Sequence, residues 1–183
     1  MIWESKFLYY LQNNVRSDVM DKLMIAISSM ADNGIVFIVF CVVVALVPSV
    51  LMPGHGKISY MTLTSLVVNA LVCNLVLKPV FARLRPFERY GFITSVLEKL
   101  PEDFSFPSGH TSASFAFATT VFMYNRILGI IAYIYALLVA FSRMYLGVHY
   151  PTDVAAGIAL GSIVALFCNR YALEFYKQLS QLL

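Results

Sequence analysis

The sequence predicts an all-α protein, a polytopic membrane helix bundle with about five spanning helices and an N-terminal amphipathic interfacial segment. First, 60% of the 183 residues are hydrophobic and 13% are charged, whereas soluble domains average about 45–50% and about 25%. Second, the charged residues leave five charge-free windows of 16 to 24 residues, at 33–56, 58–77, 104–125, 127–142 and 154–169. A spanning helix needs about 20 residues, and a terminal Arg that reaches the headgroups extends the two shortest windows. Disordered, collagenous and disulfide-scaffold classes are excluded.

Residues 1–32 predict amphipathic helix rather than a span. Apolar residues recur there at helical spacing, beginning with Phe7, Leu8 and Leu11. Asn13-Asn14 divides the segment, and Ser17 is a suitable N-cap for the second part. We expect the segment to lie flat in the membrane interface or to pack against the bundle, with a water-exposed extension as the alternative. The first residues lack a basic start followed by an apolar run, so no cleavable signal peptide is expected.

The five spans are expected at about 33–51, 58–77, 108–124, 127–146 and 151–171. The first ends near Pro48 and Pro53. Gly147 ends the fourth, because glycine stops helices, and Pro151 opens the fifth, because proline suits a first helical turn. Residues after 171 form a short amphipathic tail.

The unusual residues cluster at one predicted membrane face. Counting crossings places the end of span 2, the start of span 3, the end of span 4 and the start of span 5 on the same side. The polar stretch 78–105 holds nine of the 23 charged residues and is too long for a tight turn. The clustered residues are Lys78, Arg83, Arg85, Ser108, Gly109, His110, Arg143, His149 and Asp153.

Each cluster alone has a simple explanation. The cations near residue 80 are typical of an anchor to lipid headgroups. Ser108 caps a helix with His110 in its first turn, and Arg143 and Asp153 are a helix end and a helix cap. Together they favour a site, because the N-termini of spans 3 and 5 attract anions. Lys78, Arg85 and Arg143 add full positive charges, so the face is expected to bind a phosphate or a similar anion.

Two histidines give this face its chemistry. His149 precedes Asp153 by four residues, so the carboxylate can hold one ring nitrogen as N–H and leave the other nucleophilic. His110 is placed to protonate a departing oxygen. Two histidines and one carboxylate are too few for a metal among so many cations, so neither a metal nor another cofactor is expected. A net charge of +3 without a Lys/Arg run gives no indication of nucleic acid.

In order and spacing, these clusters resemble the signature of the type 2 phosphatidic acid phosphatase superfamily. That signature is Lys, six residues, Arg-Pro; then Pro-Ser-Gly-His; then Ser-Arg, five residues, His, three residues, Asp. Every position is filled between Lys78 and Asp153. The resemblance implies a single domain over 1–183 with a catalytic core at 33–175. Larger members often have six spans, whereas here the amphipathic segment 1–32 replaces the first span. Small bacterial undecaprenyl pyrophosphate phosphatases of this family look similar in size and layout.

The resemblance also implies roles for the residues. His149 would attack phosphorus to form a phosphohistidine, Asp153 would orient it, and His110 would protonate the leaving group. The nonbridging phosphate oxygens would be held by Lys78, Arg85, Arg143, the Ser108 hydroxyl and the Gly109 N–H. The family works without a metal. Arg83 lies outside the signature, and support of the site and anchoring to headgroups both remain open for it.

The function expected from this resemblance is a membrane lipid phosphatase that removes the terminal phosphate of an isoprenoid pyrophosphate. Undecaprenyl pyrophosphate is the favoured substrate, which would give the protein a role in cell wall biogenesis. The alternative is a glycerolipid phosphatase of phospholipid metabolism that acts on phosphatidylglycerol phosphate or phosphatidate. Soluble acid phosphatases and vanadate-dependent haloperoxidases share the signature, but five spans argue against both. A transporter would need more polar residues in the middle of its spans than Asn69 and Asn74, so the sequence argues against a transporter. A relative that only binds its ligand would be expected to lack His110, His149 or Asp153, and all three are present.

The expected partners are the lipid bilayer and a membrane lipid phosphate, and the oligomeric state stays open. Basic residues are nearly balanced between the two faces once those of the site are set aside, so the positive-inside rule decides little. The resemblance favours a multi-pass protein of the cell membrane with its site on the extracytoplasmic face and its C-terminus in the cytoplasm.

Overall fold

The computed structural model describes residues 3–47 and 55–179. Within these ranges every regular element is helical, which confirms the predicted all-α class. The elements are α1 Trp3–Asn14, α2 Asp18–Ser29, a 3₁₀ turn Asp32–Gly34, α3 Ile35–Leu46, α4 His55–Ala70, a π-helical stretch Leu71–Leu77, α5 Lys78–Phe81, α6 Pro86–Arg89, α7 Gly109–Tyr124, α8 Arg126–Tyr145 and α9 Pro151–Leu179.

Three helical stretches are long and apolar enough to cross a membrane: Gly56–Arg89, Arg126–Tyr145 and Pro151–Ala172. They correspond to the second, fourth and fifth predicted spans. Helices α3 and α7 stand where the other two were predicted but are shorter, with 12 and 16 residues. The predicted end of the first span, near Pro48 and Pro53, lies outside the described residues. The chain is therefore a membrane protein whose apolar helices were largely predictable.

Helix α7 lies at the centre of the bundle and packs against α4, α8 and α9. Its side chains from Thr111 to Val121 are buried with one partial exception. Protein rather than lipid surrounds it, so it tolerates several Ser and Thr residues. Asn69 of α4 donates a hydrogen bond to Ser112 of α7 at 3.1 Å. This polar side chain in the middle of a predicted span therefore connects two helices.

The outer surface of the bundle is apolar. Along α8 one face is exposed and consists of large aliphatic side chains, namely Ile127, Ile130, Ile131, Ile134 and Leu137. A soluble monomer rarely presents such a continuous apolar surface. This face is suited to contact with acyl chains.

Two glycines bring α9 close to α7. A Cβ atom added at Gly161 would lie 2.1 Å from the Ser112 carbonyl oxygen, and one at Gly157 would lie 2.8 Å from the Ser108 carbonyl oxygen. At the same end of the pair, the Ser108 N–H donates to the Asp153 carbonyl at 3.1 Å. The N-termini of both helices consequently meet at one end of the bundle.

The N-terminal segment packs against the bundle, which is one of the two placements expected for it. Ser17 caps α2 as predicted, with Oγ accepting from the Met20 N–H at 3.4 Å. The Tyr145 hydroxyl at the end of α8 donates to Asp21 at 2.5 Å, and Arg16 donates to the Thr94 carbonyl at 2.5 Å. Helices α1 and α2 therefore cover the same end of the bundle as the N-termini of α7 and α9.

Candidate active site

Two cations occupy the turn between α4 and α6. Lys78 follows the π-helical stretch directly, and Ala82 ends α5 in the left-handed region at φ 41°. Arg85 is the N-cap residue of α6, and its N–H donates to the Glu88 carboxylate at 2.7 Å. Both cationic side chains are buried, which is costly for a charge unless a partner is present.

Asp103 supplies that partner. One of its carboxylate oxygens pairs with Lys78 Nζ, and the other accepts from Arg85 Nη2 at 2.5 Å. The Asp103 carbonyl oxygen also accepts from Arg85 Nε at 2.7 Å. Burial alone would raise the pKa of Asp103, but the hydrogen bonds and charges of Lys78 and Arg85 outweigh it and lower that pKa to about 2. The carboxylate is therefore ionised throughout the physiological range.

The start of α7 adjoins these cations. A Cβ atom added at Gly109 would lie 3.6 Å from Lys78 Nζ, so the backbone at Gly109 closely approaches that ammonium group. Ser108 is the N-cap residue of α7, but contrary to the simple explanation above its side chain makes no cap hydrogen bond. Its buried hydroxyl instead accepts from Thr111 Oγ1 at 2.9 Å.

His110 pairs with an acid that the sequence did not single out. Its Nε2 lies 2.6 Å from Asp32 Oδ1 in the 3₁₀ turn before α3. The pKa of Asp32 is lowered, first by this hydrogen bond and then, against the effect of burial, by the nearby charges of His110 and Arg143. An ionised carboxylate only accepts hydrogen bonds, so Nε2 carries the proton here and Asp32 holds the orientation of the His110 ring.

Arg143 reaches the same space from the last turn of α8. Its side chain is buried, and one terminal nitrogen donates to Ser28 Oγ of α2. Within the part of the chain that the structure describes, Arg143 Nε has no hydrogen-bond partner. A buried guanidinium with a free donor is a ready site for an anion.

His149 lies in the turn between α8 and α9 and is 1% exposed. Its Nε2 is 3.3 Å from Arg85 Nη1, and its Nδ1 is 3.5 Å from both Ser105 Oγ and Asp153 Oδ2. Since a guanidinium only donates, Nε2 must accept and Nδ1 carries the proton. Burial lowers the pKa of His149 well below its ordinary value, and the charges of the surrounding cations lower it further. The ring is neutral at pH 7, with the Nε2 lone pair beside Arg85.

Asp153 is held from several sides. Its carboxylate accepts from Ser105 Oγ, from the Tyr150 N–H at 2.9 Å and from Arg83 Nη1 at 2.5 Å. Arg83 also donates to Glu4 of α1 at 2.8 Å and stacks on the Tyr150 ring at 3.9 Å from its centroid. Of the two roles left open for Arg83, contact with the site is the one observed.

Several of these groups line a cavity of about 510 Å³. Its lining includes apolar side chains, Ile38 of α3 with Leu63, Leu66 and Val67 of α4, and the polar side chains of Asn69, Asn74, Lys78, Arg85, Asp103, His110, Arg143 and His149. A second cavity of about 440 Å³ shares His110 and Arg143 and is also lined by Asp32 and Lys99. The first cavity thus combines cationic side chains with apolar side chains from two helices.

The structure brings the predicted site residues together. Lys78, Arg85, Gly109, His110, Arg143 and His149 line the cavity, whereas Asp153 and Ser108 are not among its lining residues and bond to each other through their backbones. The sequence did not single out Asp103, Asp32 or Glu4. Among the described residues, no three His, Cys, Asp or Glu side chains are grouped so that they could hold a metal ion.

Comparison of the chain with known proteins identifies a family. A family model described as the PAP2 superfamily matches residues 59–177. An undecaprenyl-diphosphatase of Sulfolobus acidocaldarius is 42% identical over 107 residues, which are 57% of this chain and 50% of that protein. Phosphatidylglycerophosphatase B of Bacillus subtilis is 32% identical over 136 residues, 65% of this chain and 64% of that protein. The matched region thus spans between half and two thirds of these relatives.

The fold is shared with a solved structure as well. The crystal structure of Aquifex aeolicus LpxE matches with a TM-score of 0.72 at 23% identity, covering 93% of this chain and 97% of that one. At this identity the similarity concerns the fold alone.

Proposed function

This chain belongs to the PAP2 superfamily, and from that premise we propose that it is a membrane lipid phosphatase that removes the terminal phosphate of an isoprenoid pyrophosphate. The observation that carries the proposal is the lining of the cavity. Three buried cations and a neutral histidine line it, together with aliphatic side chains of α3 and α4. Such a space suits a substrate with an anionic head and an apolar tail.

In the proposed first step, His149 Nε2 attacks phosphorus. An N–P bond forms, the bond from phosphorus to the leaving oxygen breaks, and a phosphohistidine results. Asp153 opposes Nδ1 and stabilises the positive charge that the ring acquires. The low pKa of His149 supports this role, because only the neutral ring has a lone pair to donate.

The cations would stabilise the transition state. Lys78, Arg85 and Arg143, with the Ser108 hydroxyl and the Gly109 N–H at the start of α7, would hold the nonbridging oxygens. Phosphoryl transfer is accelerated mainly by such positioning and charge neutralisation. The unpaired Nε of Arg143 fits this role, since a buried donor without a partner is costly until an anion arrives.

His110 would give the leaving oxygen its proton. Because Asp32 accepts from Nε2, we assign the donated proton to Nδ1. In the second step His110 would take a proton from water as the water attacks the phosphohistidine. That step breaks the N–P bond, regenerates His149 and releases inorganic phosphate.

Undecaprenyl pyrophosphate is the favoured substrate, supported by the similarity of the chain to undecaprenyl-diphosphatases. A glycerolipid phosphatase is the second candidate, because the longest of the matches described above is to phosphatidylglycerophosphatase B. Both substrates offer a terminal phosphate on an apolar anchor, so the site chemistry is common to them.

Phosphate release from a panel of lipids tests the proposal. We expect the purified protein in mixed micelles to act on undecaprenyl pyrophosphate faster than on phosphatidylglycerol phosphate or phosphatidate, with a His149→Ala variant as the blank. A preference for either glycerolipid would select the second candidate. Release from none of the three by folded protein would refute the lipid phosphatase assignment.

We also propose a multi-pass arrangement in the cell membrane with the site on the extracytoplasmic face. Single cysteines at Glu102→Cys, on the site face, and Arg126→Cys, at the opposite end of the bundle, test it, because the native cysteines are buried. A membrane-impermeant thiol reagent on intact cells should label the first and not the second. The reverse pattern would invert the proposed orientation.

A further inference from the structure

Lys78 and Arg85, two buried cations that line the proposed phosphate site, already hold an anion that belongs to the protein. Asp103 offers one carboxylate oxygen to Lys78 and the other to Arg85. Four of the five side-chain N–H groups of Arg85 have acceptors here: the Asp103 and Val148 carbonyls, His149 and the Asp103 carboxylate. Among these acceptors the carboxylate is the anion, so it is the one that a phosphate would replace.

The partners differ sharply in exposure. The side chains of Lys78 and Arg85 are 9% and 2% exposed, whereas that of Asp103 is 53% exposed. Moving the carboxylate into solvent is thus easy, while leaving the two buried cations without an anion is costly. The backbone bond from Arg85 Nε to the Asp103 carbonyl can persist while the carboxylate leaves.

We propose that Asp103 is an exchangeable counter-ion of the phosphate site, displaced when the substrate phosphate binds and returned when inorganic phosphate leaves. This inference rests on the proposed function for its biological role. One anion replaces another in both directions, so Lys78 and Arg85 remain paired throughout the cycle. Asp103 thereby weakens the binding of every phosphate-like anion and favours product release.

The exchange predicts tighter anion binding when the carboxylate is removed. Asp103→Asn keeps the shape of the side chain and the backbone bond but removes the charge. We expect its Kd for inorganic phosphate and for vanadate to fall about tenfold, because the entering anion no longer displaces a charge-assisted pair. Titration calorimetry on protein in detergent measures this without lipid and without turnover.

A neighbouring residue supplies the control. Glu102→Gln changes the charge by the same amount in the same exposed loop, and Glu102 is not one of the residues that line the cavity. We expect its Kd for phosphate to stay within about twofold of wild type, because exposed charges are well screened. An equal gain in both variants would show a general charge effect and overturn the proposal.

Two further variants protect the test against a folding defect in Asp103→Asn. Asp103→Ser should also bind phosphate more tightly, whereas Asp103→Glu, which keeps a carboxylate, should behave nearly as wild type. Unchanged or weaker binding in both neutral variants, in protein with a normal unfolding transition, would refute the counter-ion role. Lipid phosphate release by wild type is scored separately: tighter binding in the neutral variants with an inactive wild type would uphold the exchange and reject the proposed function.

Discussion

The two sides of His149 are built differently. On the Nδ1 side, Asp153 is fully buried and accepts hydrogen bonds from Ser105, Tyr150 and Arg83. On the Nε2 side, Arg85 shares with Lys78 a half-exposed carboxylate. The partners on the first side are held from several segments, whereas those on the second side include the half-exposed carboxylate for which we propose exchange. The comparison indicates that the carboxylate that orients His149 is held in one position, whereas the site for the phosphate anion contains a side chain that can move.

The different tasks of the two sides explain this division. An orienting carboxylate is effective only if its position is fixed before substrate arrives, and the bonds from three separate segments fix Asp153. A phosphate site must release its product, so full occupation by permanent partners would block it. The predictions below test each side in turn.

The largest effect is expected at the centre of the comparison. His149→Ala removes the proposed nucleophile and should lower kcat by about 10⁴-fold or more, on the scale seen when a nucleophile is deleted. Acid-sensitive, base-stable phosphate label should be trapped on wild type by rapid quench and be absent from the variant. A labelled adduct that persists in His149→Ala would show that another residue is attacked.

His110→Ala should cost about 10²–10⁴-fold on a lipid monophosphate, the usual contribution of general acid catalysis. The loss should be much smaller on p-nitrophenyl phosphate, because p-nitrophenolate leaves without needing a proton. Comparison of kcat/KM for the two substrates checks this. Equal losses on both, in folded protein, would mean that His110 only supports the start of α7.

Arg83→Ala should disturb the fixed side. We expect kcat to fall by about 10–100-fold with little change in KM, since a misplaced orienting group costs rate rather than binding. Arg83→Lys should recover part of the loss, and Lys6→Gln on exposed α1 surface serves as the control. A rise in KM with kcat unchanged would place Arg83 in substrate binding instead.

The lowered pKa of His149 predicts how the ring takes up a proton as the pH changes. Because burial and nearby cations disfavour the charged ring, His149 should stay neutral as the pH falls through 6.5 and take up a proton only below that. Ring NMR signals of labelled histidine, assigned with the His149→Ala variant, check this between pH 5 and 8. A titration midpoint at or above 6.5 would contradict the neutral nucleophile.

The smallest expected effect is none at all. Full activity should persist in excess chelator, since Lys78, Arg85 and Arg143 already supply the positive charge that a metal would bring. Phosphate release before and after chelation measures it. Loss of activity that added Mg²⁺ or Zn²⁺ restores would replace the metal-free mechanism.

The sequence predicted what depends on local pattern. Ser17 as N-cap of α2, Pro151 at the start of α9 and the helix stop at Gly147, which has φ +72°, follow from propensities of single residues. The helical class follows from hydropathy. The face shared by the signature residues follows from counting crossings, and their positions around one cavity agree with it.

The partners of those residues could not be predicted in this way. Arg83 meets Glu4 across 79 positions, His110 meets Asp32 across 78, and Lys78 meets Asp103 across 25. No helical or strand periodicity links such distant positions, and each acid alone resembles ordinary surface charge. Only the packing of α1, α2 and the loop before α7 makes them neighbours.

The glycine contact between α7 and α9 has a mechanical consequence. With Gly157 and Gly161 leaving no room for side chains between them, the two helices that carry Ser108 and Asp153 can neither slide nor separate without losing close backbone contact. We therefore expect stretching or thinning of the surrounding bilayer to be accommodated by tilting of outer helices such as α3, so that the spacing at the reacting centre changes little with membrane thickness.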